Sequence, residues 1–225
     1  MKQLPISLGA LALACASTSY AQSSEVLTGL PGLACEAVLC LSSSLQPGEC
    51  TASFDHYFDI RKYAKGMLDW EATVDARRFF LGMCPVASEP GMSARMDAIS
   101  RGAGKCDPDY LNATYGQDIY RYRMVGSNYV GIPAIRDLSL IKTVTLTKLP
   151  NYCVVYNDHE WTYDLSIKYV GDPNRGGYWA PARDYVSAQS KWNAEHTGSW
   201  ANNWHYSFED PRRNIDDTAG TGNNH

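Results

Sequence analysis

Apolar residues recur at helical spacing through the first half of the chain and alternate with polar ones in parts of the second. From Ala34 to Leu45 the positions Cys35, Val38, Leu39, Leu41 and Leu45 fall near a helical period, and Gln46-Pro47-Gly48 ends the segment, which predicts a short helix. A second helix begins near Cys50 or Thr51 and carries Phe54, Tyr57 and Phe58. The third, from about Trp70 to Cys84, has Asp69 as N-cap, Glu71 in its first turn, a stripe of Trp70, Val74, Phe80 and Leu81, and a stop at Pro85. Met92, Met96 and Ile99 share one face of a fourth helix, predicted over Glu89 to Arg101 ahead of Gly102-Ala103-Gly104. Asp107-Pro108 supplies a cap and a first helical position for a short helix around Tyr110.

Past Gly116 the pattern changes. Thr143 to Lys148 and Cys153 to Asn157 are β-branched or aromatic, and Trp161, Tyr163, Leu165, Ile167 and Tyr169 alternate with polar partners. With Asp158-His159 as the turn, Cys153 to Val170 reads as a β-hairpin with one apolar face. Gly171 to Gly177 is a turn-rich loop, Ala182 to His196 a last helix, and Glu209 to His225 a polar tail too poor in apolar residues to order itself. The fold class is therefore α+β: a mainly helical, disulfide-braced part over residues 30–114, a small β-hairpin or sheet region rich in aromatics over 115–207, and a disordered tail over 208–225.

Residues 1–21 read as a signal peptide. Lys2 is the positive n-region, Ile6 to Ala16 the apolar stretch, and Ser19-Tyr20-Ala21 the small-x-small cleavage site. The apolar stretch is too short for a membrane span. Cys15 lies in it after Ala12-Leu13-Ala14, but a lipoprotein site usually has Leu where Ala12 stands, so lipid anchoring at Cys15 is the weaker reading. Export implies a periplasmic or other oxidising location, where Cys35, Cys40, Cys50, Cys84, Cys106 and Cys153 form disulfides rather than a metal cluster. The formal net charge is −4, and losing Lys2 with the leader makes it more negative, which argues against nucleic acid as a partner.

The turn between Cys40 and Cys50 is short enough for those two to bridge across a helical hairpin. That leaves Cys35 to reach Cys84 and Cys106 to tie the helical part to Cys153, one of the many connectivities six cysteines allow. The segment Ala34 to Ser43 (ACEAVLCLSS), followed by Pro47-Gly48-Glu49-Cys50 and then by Ala76-Arg77-Arg78-Phe79-Phe80-Leu81 with Cys84-Pro85, resembles the TrbM/KikA family of bacterial conjugation proteins. The similarity is densest from Leu33 to Pro85 and looser at Gly176-Gly177-Tyr178-Trp179; the stretch from Tyr115 to Ile141 is not placed by it. It implies an exported periplasmic accessory of the mating-pair-formation, or type IV secretion, apparatus, with other proteins of that apparatus as partners and no enzymatic activity or cofactor.

The residues themselves offer little chemistry. Five of the six tryptophans fall in the last third, and Trp179, Trp192, Trp200 and Trp204 are candidate interaction residues, as exposed anchors for a partner protein or as a platform for peptidoglycan. A murein-cleaving activity would need a buried glutamate, with Glu160 beside Trp161 and Tyr163 or Glu195 beside Trp192 and Trp200 as candidates. His56 and His159 lack a partner nucleophile, and no G-x-S-x-G turn occurs. Gly102-Ala103-Gly104-Lys105-Cys106 lacks the spacing and hydroxyl of a phosphate loop. Asp107-Pro108-Asp109 and Asp172-Pro173-Asn174 read as caps and Asx turns rather than calcium ligands, and Asn112-Ala113-Thr114 as a chance glycosylation pattern. A small secreted toxin is a third reading, suggested only by size and disulfides.

Overall fold

A computed structural model describes residues 27–126, 133–196 and 203–213. The signal peptide, Cys15, Trp200 and residues 214–225 of the polar tail lie outside the described residues. In chain order the elements are α1 (Gly29–Cys40), α2 (Thr51–Asp59), β1 (Tyr63–Ala64), β2 (Met67–Leu68), α3 (Trp70–Leu81), α4 (Met92–Gly102) and α5 (Pro108–Thr114). They continue with β3 (Gly116–Gly126), β4 (Pro133–Val144), α6 (Asn151–Asn157), β5 (Ile167–Val170), β6 (Tyr178–Pro181), α7 (Tyr185–His196) and β7 (Trp204–Ser207). The class is α+β, with α1 to α4 and α6 sharing one core, α5 and α7 packed on strands, and three antiparallel sheets among the described residues.

The helical core forms because each helix turns one stripe inward. In α1 the stripe is Ala34, Ala37, Val38 and Leu41, spaced at i, i+3, i+4 and i+7, and it packs on Tyr57 of α2, Phe80 and Leu81 of α3, and Met96 and Ile99 of α4. The third helix starts as its cap predicts, the Asp69 carboxylate accepting from the Ala72 amide at 3.1 Å. Arg77 on α3 is buried with its guanidinium over the Tyr57 ring, while its neighbour Arg78 faces water beside Asp97. Two phenols reach the interior and find acceptors there: Tyr57 donates to the Ile99 carbonyl at 2.9 Å and Tyr156 to the Leu41 carbonyl at 2.7 Å. Disulfides join Cys35 to Cys84, Cys40 to Cys50, and Cys106 to Cys153.

Element boundaries depart from the sequence reading in instructive ways. The first helix runs from Gly29 and ends at Cys40, because Ser42 to Ser44 leave the helix to make a parallel bridge with Tyr163. The fourth begins at Met92, because Gly91 before it is left-handed, with φ 82°. The hairpin expected over Cys153 to Val170 does not form. Residues 151–157 are helix α6 instead, with Cys153, Tyr156 and Asn157 inward at helical spacing and Val154 and Val155 left exposed. The Cys106 bridge and burial against α4 outweigh the β propensity of Val-Val-Tyr. Tyr156 sits so close to Gly102 that a Cβ there would stand 2.4 Å from its ring. Only Ile167–Val170 of the second arm is strand, since Asp164 takes a left-handed φ of 55°, and it pairs with β6.

In the stretch from Tyr115 to Ile141, the described residues of β3 and β4 pair antiparallel as a long hairpin, and β7 adds to the far edge of β3. Of the predicted strand Thr143 to Lys148, only Thr143 and Val144 lie in β4. The register slips between Arg121 and Arg123, where Asp137 on the opposite strand is left-handed, a bulge that twists the hairpin. Helix α5 is tied to β6 through the Asn112 amide: its Nδ2 donates to the Trp179 carbonyl at 2.9 Å and its Oδ1 accepts from the Trp179 amide at 2.8 Å. Both groups lie beside a buried cluster of Leu111, Val144 and Trp179. Asn112→Ala is therefore expected to lower stability by about 2 kcal/mol, since it strands a backbone donor and acceptor together; urea titration of the variant checks this.

Candidate interaction groove

Cys35 and Leu39 of α1, with Ser42 just past its end, form one wall of an apolar groove of about 440 Å³. The opposite wall comes from the turn between α3 and α4, where Cys84 begins a short 3-10 segment with Val86, followed by Glu89 and Pro90. The Cys35–Cys84 bridge joins these walls at the base. Trp161 lies across the mouth, its indole edge against Gly91 and its Nε1 donating to Glu160 Oε1 at 3.1 Å. Leu39 is 73% and Trp161 51% exposed, so two large apolar side chains meet water at one opening.

Backbone and ionic contacts hold Trp161 there. The Tyr163 amide donates to the Ser42 carbonyl at 2.8 Å, and the Ser44 amide donates to the Tyr163 carbonyl at 3.2 Å. Arg183 Nη1 then reaches Ser44 Oγ at 2.7 Å and Asp164 Oδ2 at 2.8 Å. The groove floor is Arg95, which has no exposed surface. Its Nε donates to Ser42 Oγ at 3.0 Å, Nη1 to the Tyr156 carbonyl at 3.4 Å and Nη2 to the Leu41 carbonyl at 3.3 Å. Among the described residues no carboxylate pairs with it, and burial holds its guanidinium down to about 10.

Of the tryptophans taken from sequence as exposed anchors, the three among the described residues do not form a surface. Trp179 is 5% and Trp192 8% exposed. Trp179 fills the space between α5 and the loop after β4 and donates from Nε1 to the Leu146 carbonyl at 2.8 Å, while Trp192 stacks flat on His196 with ring centroids 4.1 Å apart. Trp204 is half-buried beneath the guanidiniums of Arg121 and Arg123, at 4.0 and 4.5 Å from its ring centre. Large aromatic surface is more stable inside than in water, and each of these rings found an internal face to cover. In sequence Leu39 counts as one of the helical apolar positions of the first helix and Trp161 as the neighbour of Glu160, whereas the structure turns Leu39 outward and brings the two to one opening.

The other candidates separate in space. Glu160 and Glu195 are both exposed, so neither has the burial that a general acid needs. His56 rests on the Phe80 ring at 4.6 Å. Lys105 stands over the Trp70 ring, 3.3 Å from its centre, rather than at a phosphate loop. Asp172 closes an Asx turn by accepting from the Asn174 amide at 2.7 Å, and Pro108 opens α5. Among the described residues no group of three or more His, Cys, Asp or Glu could hold a metal ion, and no helix is long and apolar enough to cross a membrane.

No curated protein and no solved structure matches the chain. A family model described as TrbM matches residues 26–193, which takes in the helical core, the groove, the long hairpin and most of α7. With three quarters of its length matched, and with its disulfide-braced helices in place, the chain belongs to the TrbM family and is a protein related to conjugal transfer.

Proposed function

We propose that the protein is an exported, periplasmic accessory of the mating-pair-formation apparatus of conjugative type IV secretion, acting by protein–protein interaction and not as an enzyme. The three disulfides support an oxidising compartment. The observation that carries the interaction reading is the apolar groove with Leu39 and Trp161 exposed at its mouth. Its occupant is a segment of another protein of the apparatus, with an apolar anchor for the groove and a basic residue beside it, because Glu89 lines the groove and Glu160 stands next to Trp161. The internal placement of Trp179 and Trp192 favours this reading over a peptidoglycan platform built on those two rings.

Trp161→Ala is expected to weaken partner binding by about 30-fold, the effect of losing one aromatic anchor worth about 2 kcal/mol. In a donor lacking the gene, plasmid transfer should be restored by the exported wild-type chain, restored poorly by Trp161→Ala combined with Leu39→Lys, and not restored by a leaderless chain. Full transfer with the doubly substituted, normally folded protein would overturn the groove as the interaction site. Full transfer with the leaderless chain would overturn the periplasmic assignment.

A further inference from the structure

Away from the groove, a second hollow of about 240 Å³ opens between α7 and the β3–β4 hairpin, with Arg121, Lys142, Lys191 and His196 on its lining. We propose that this hollow binds a small oxyanion, the phosphate or carboxylate group of a soluble ligand. Its volume has room for such a group with a few attached atoms.

His196 is the residue that makes this a built site rather than a basic patch. It is 5% exposed, and its Nε2 has no hydrogen-bond partner. Its Nδ1 lies 2.7 Å from the Trp192 carbonyl, which requires the proton on Nδ1, and the ring is fixed by stacking on Trp192. Nε2 therefore faces away from that carbonyl. A Cβ built on Gly176, which also lines the hollow, would stand 3.2 Å from Ile141 Cδ1 and 4.0 Å from Nε2, so glycine keeps that corner of the hollow beside the imidazole unfilled. Gly176 takes φ 86°, a conformation that further favours glycine there.

The surrounding charge is largely uncompensated. Arg121 on β3 stacks on Trp204, its Nε is buried without a partner, and no carboxylate of the described residues pairs with it. Lys191 on α7 likewise has no carboxylate partner among the described residues. Arg175, in the loop before β6, donates from Nη2 to the His196 carbonyl at 3.3 Å and lies over the Tyr206 ring of β7. Against these stand Glu195 on the lining and Asp118, which already pairs with Lys142 of β4 at 2.7 Å. Burial, with Arg121 and Arg175 nearby, keeps the His196 imidazole below the usual histidine range, so it is neutral near pH 7. A bound oxyanion would offset the arginine charges and favour a proton on Nε2, which then donates to the ligand.

The test uses the full exported chain and follows the imidazole resonances of His196 through a pH titration in sodium phosphate, in sodium acetate and in sodium chloride of equal ionic strength. Phosphate or acetate should raise the His196 titration midpoint by about one pH unit, as a close opposite charge does, while chloride should not. A response to phosphate alone identifies a phosphate ligand, and a response to acetate alone a carboxylate. Lys191→Gln, an exposed change that leaves the fold intact, and Arg121→Gln should each weaken the response about tenfold, the loss of one charge-assisted contact. The same midpoint in all three salts, or full binding by folded Lys191→Gln, would show an adventitious ion only and overturn the site.

Discussion

Replacing both Cys35 and Cys84 by serine is expected to lower the unfolding free energy by about 4 kcal/mol, as is breaking the Cys106–Cys153 bridge. The bridge closes a loop of sequence separation 49, and the chain entropy it removes from the unfolded state grows with the logarithm of that length. The Cys40–Cys50 bridge, with separation 10, should be worth about 3 kcal/mol on the same reasoning. Guanidinium titrations of the oxidised wild type and the two paired variants would give this order, and equal midpoints would contradict it. A functional consequence follows from where the longer bridge lies. Cys35 and Cys84 join the two walls of the groove, so the paired variant should lose partner binding even at temperatures where it remains folded.

Arg95→Ala is expected to cost about 4 kcal/mol, as large-to-small changes at closed interior sites do. It empties a volume with no exposure and strands the Tyr156 carbonyl, whereas Ser42 Oγ keeps its bond to the Val38 carbonyl and the Leu41 carbonyl keeps its bond from Tyr156. Arg95→Met separates packing from hydrogen bonding. It fills much of the same space, loses the three hydrogen bonds and removes a cation that burial disfavours, so its cost should be smaller, about 1–2 kcal/mol. Thermal melts of both variants check the order. If Met is as damaging as Ala, the guanidinium's hydrogen bonds, not its bulk, hold α1, α4 and α6 together.

Arg95 also explains why the groove could not be read from the chain. In sequence it is one basic residue on a predicted amphipathic helix, a position that ordinarily faces water. It is buried because the chain turns back after α6 and lays residues 158–164 across the end of α1, closing the site over it. Trp161 reaches the groove mouth by the same return. Its alternation with Tyr163, Leu165 and Ile167 suggests a strand, but the left-handed Asp164 and the bridge to Ser43 break that pattern and leave Trp161 and Tyr163 outside.

Local information sufficed wherever one residue's own chemistry sets the backbone. Asp69 capping α3, Pro108 opening α5, the Asx turn at Asp172 and the helical period of α1 are all decided within a few residues, because capping bonds, a fixed proline φ and helical periodicity act at that range. The family resemblance lay in the same local segments, Ala34 to Ser43 and Ala76 to Pro85. Tertiary structure decided what depends on partners distant in the chain. It made residues 151–157 a helix, since Cys153 and Tyr156 gain more from Cys106 and Gly102 than Val154 and Val155 would gain from a strand. It also drew Trp179 and Trp192 inside and left Leu39 and Trp161 outside, because burial is a property of the packed surface and no short window of sequence contains it.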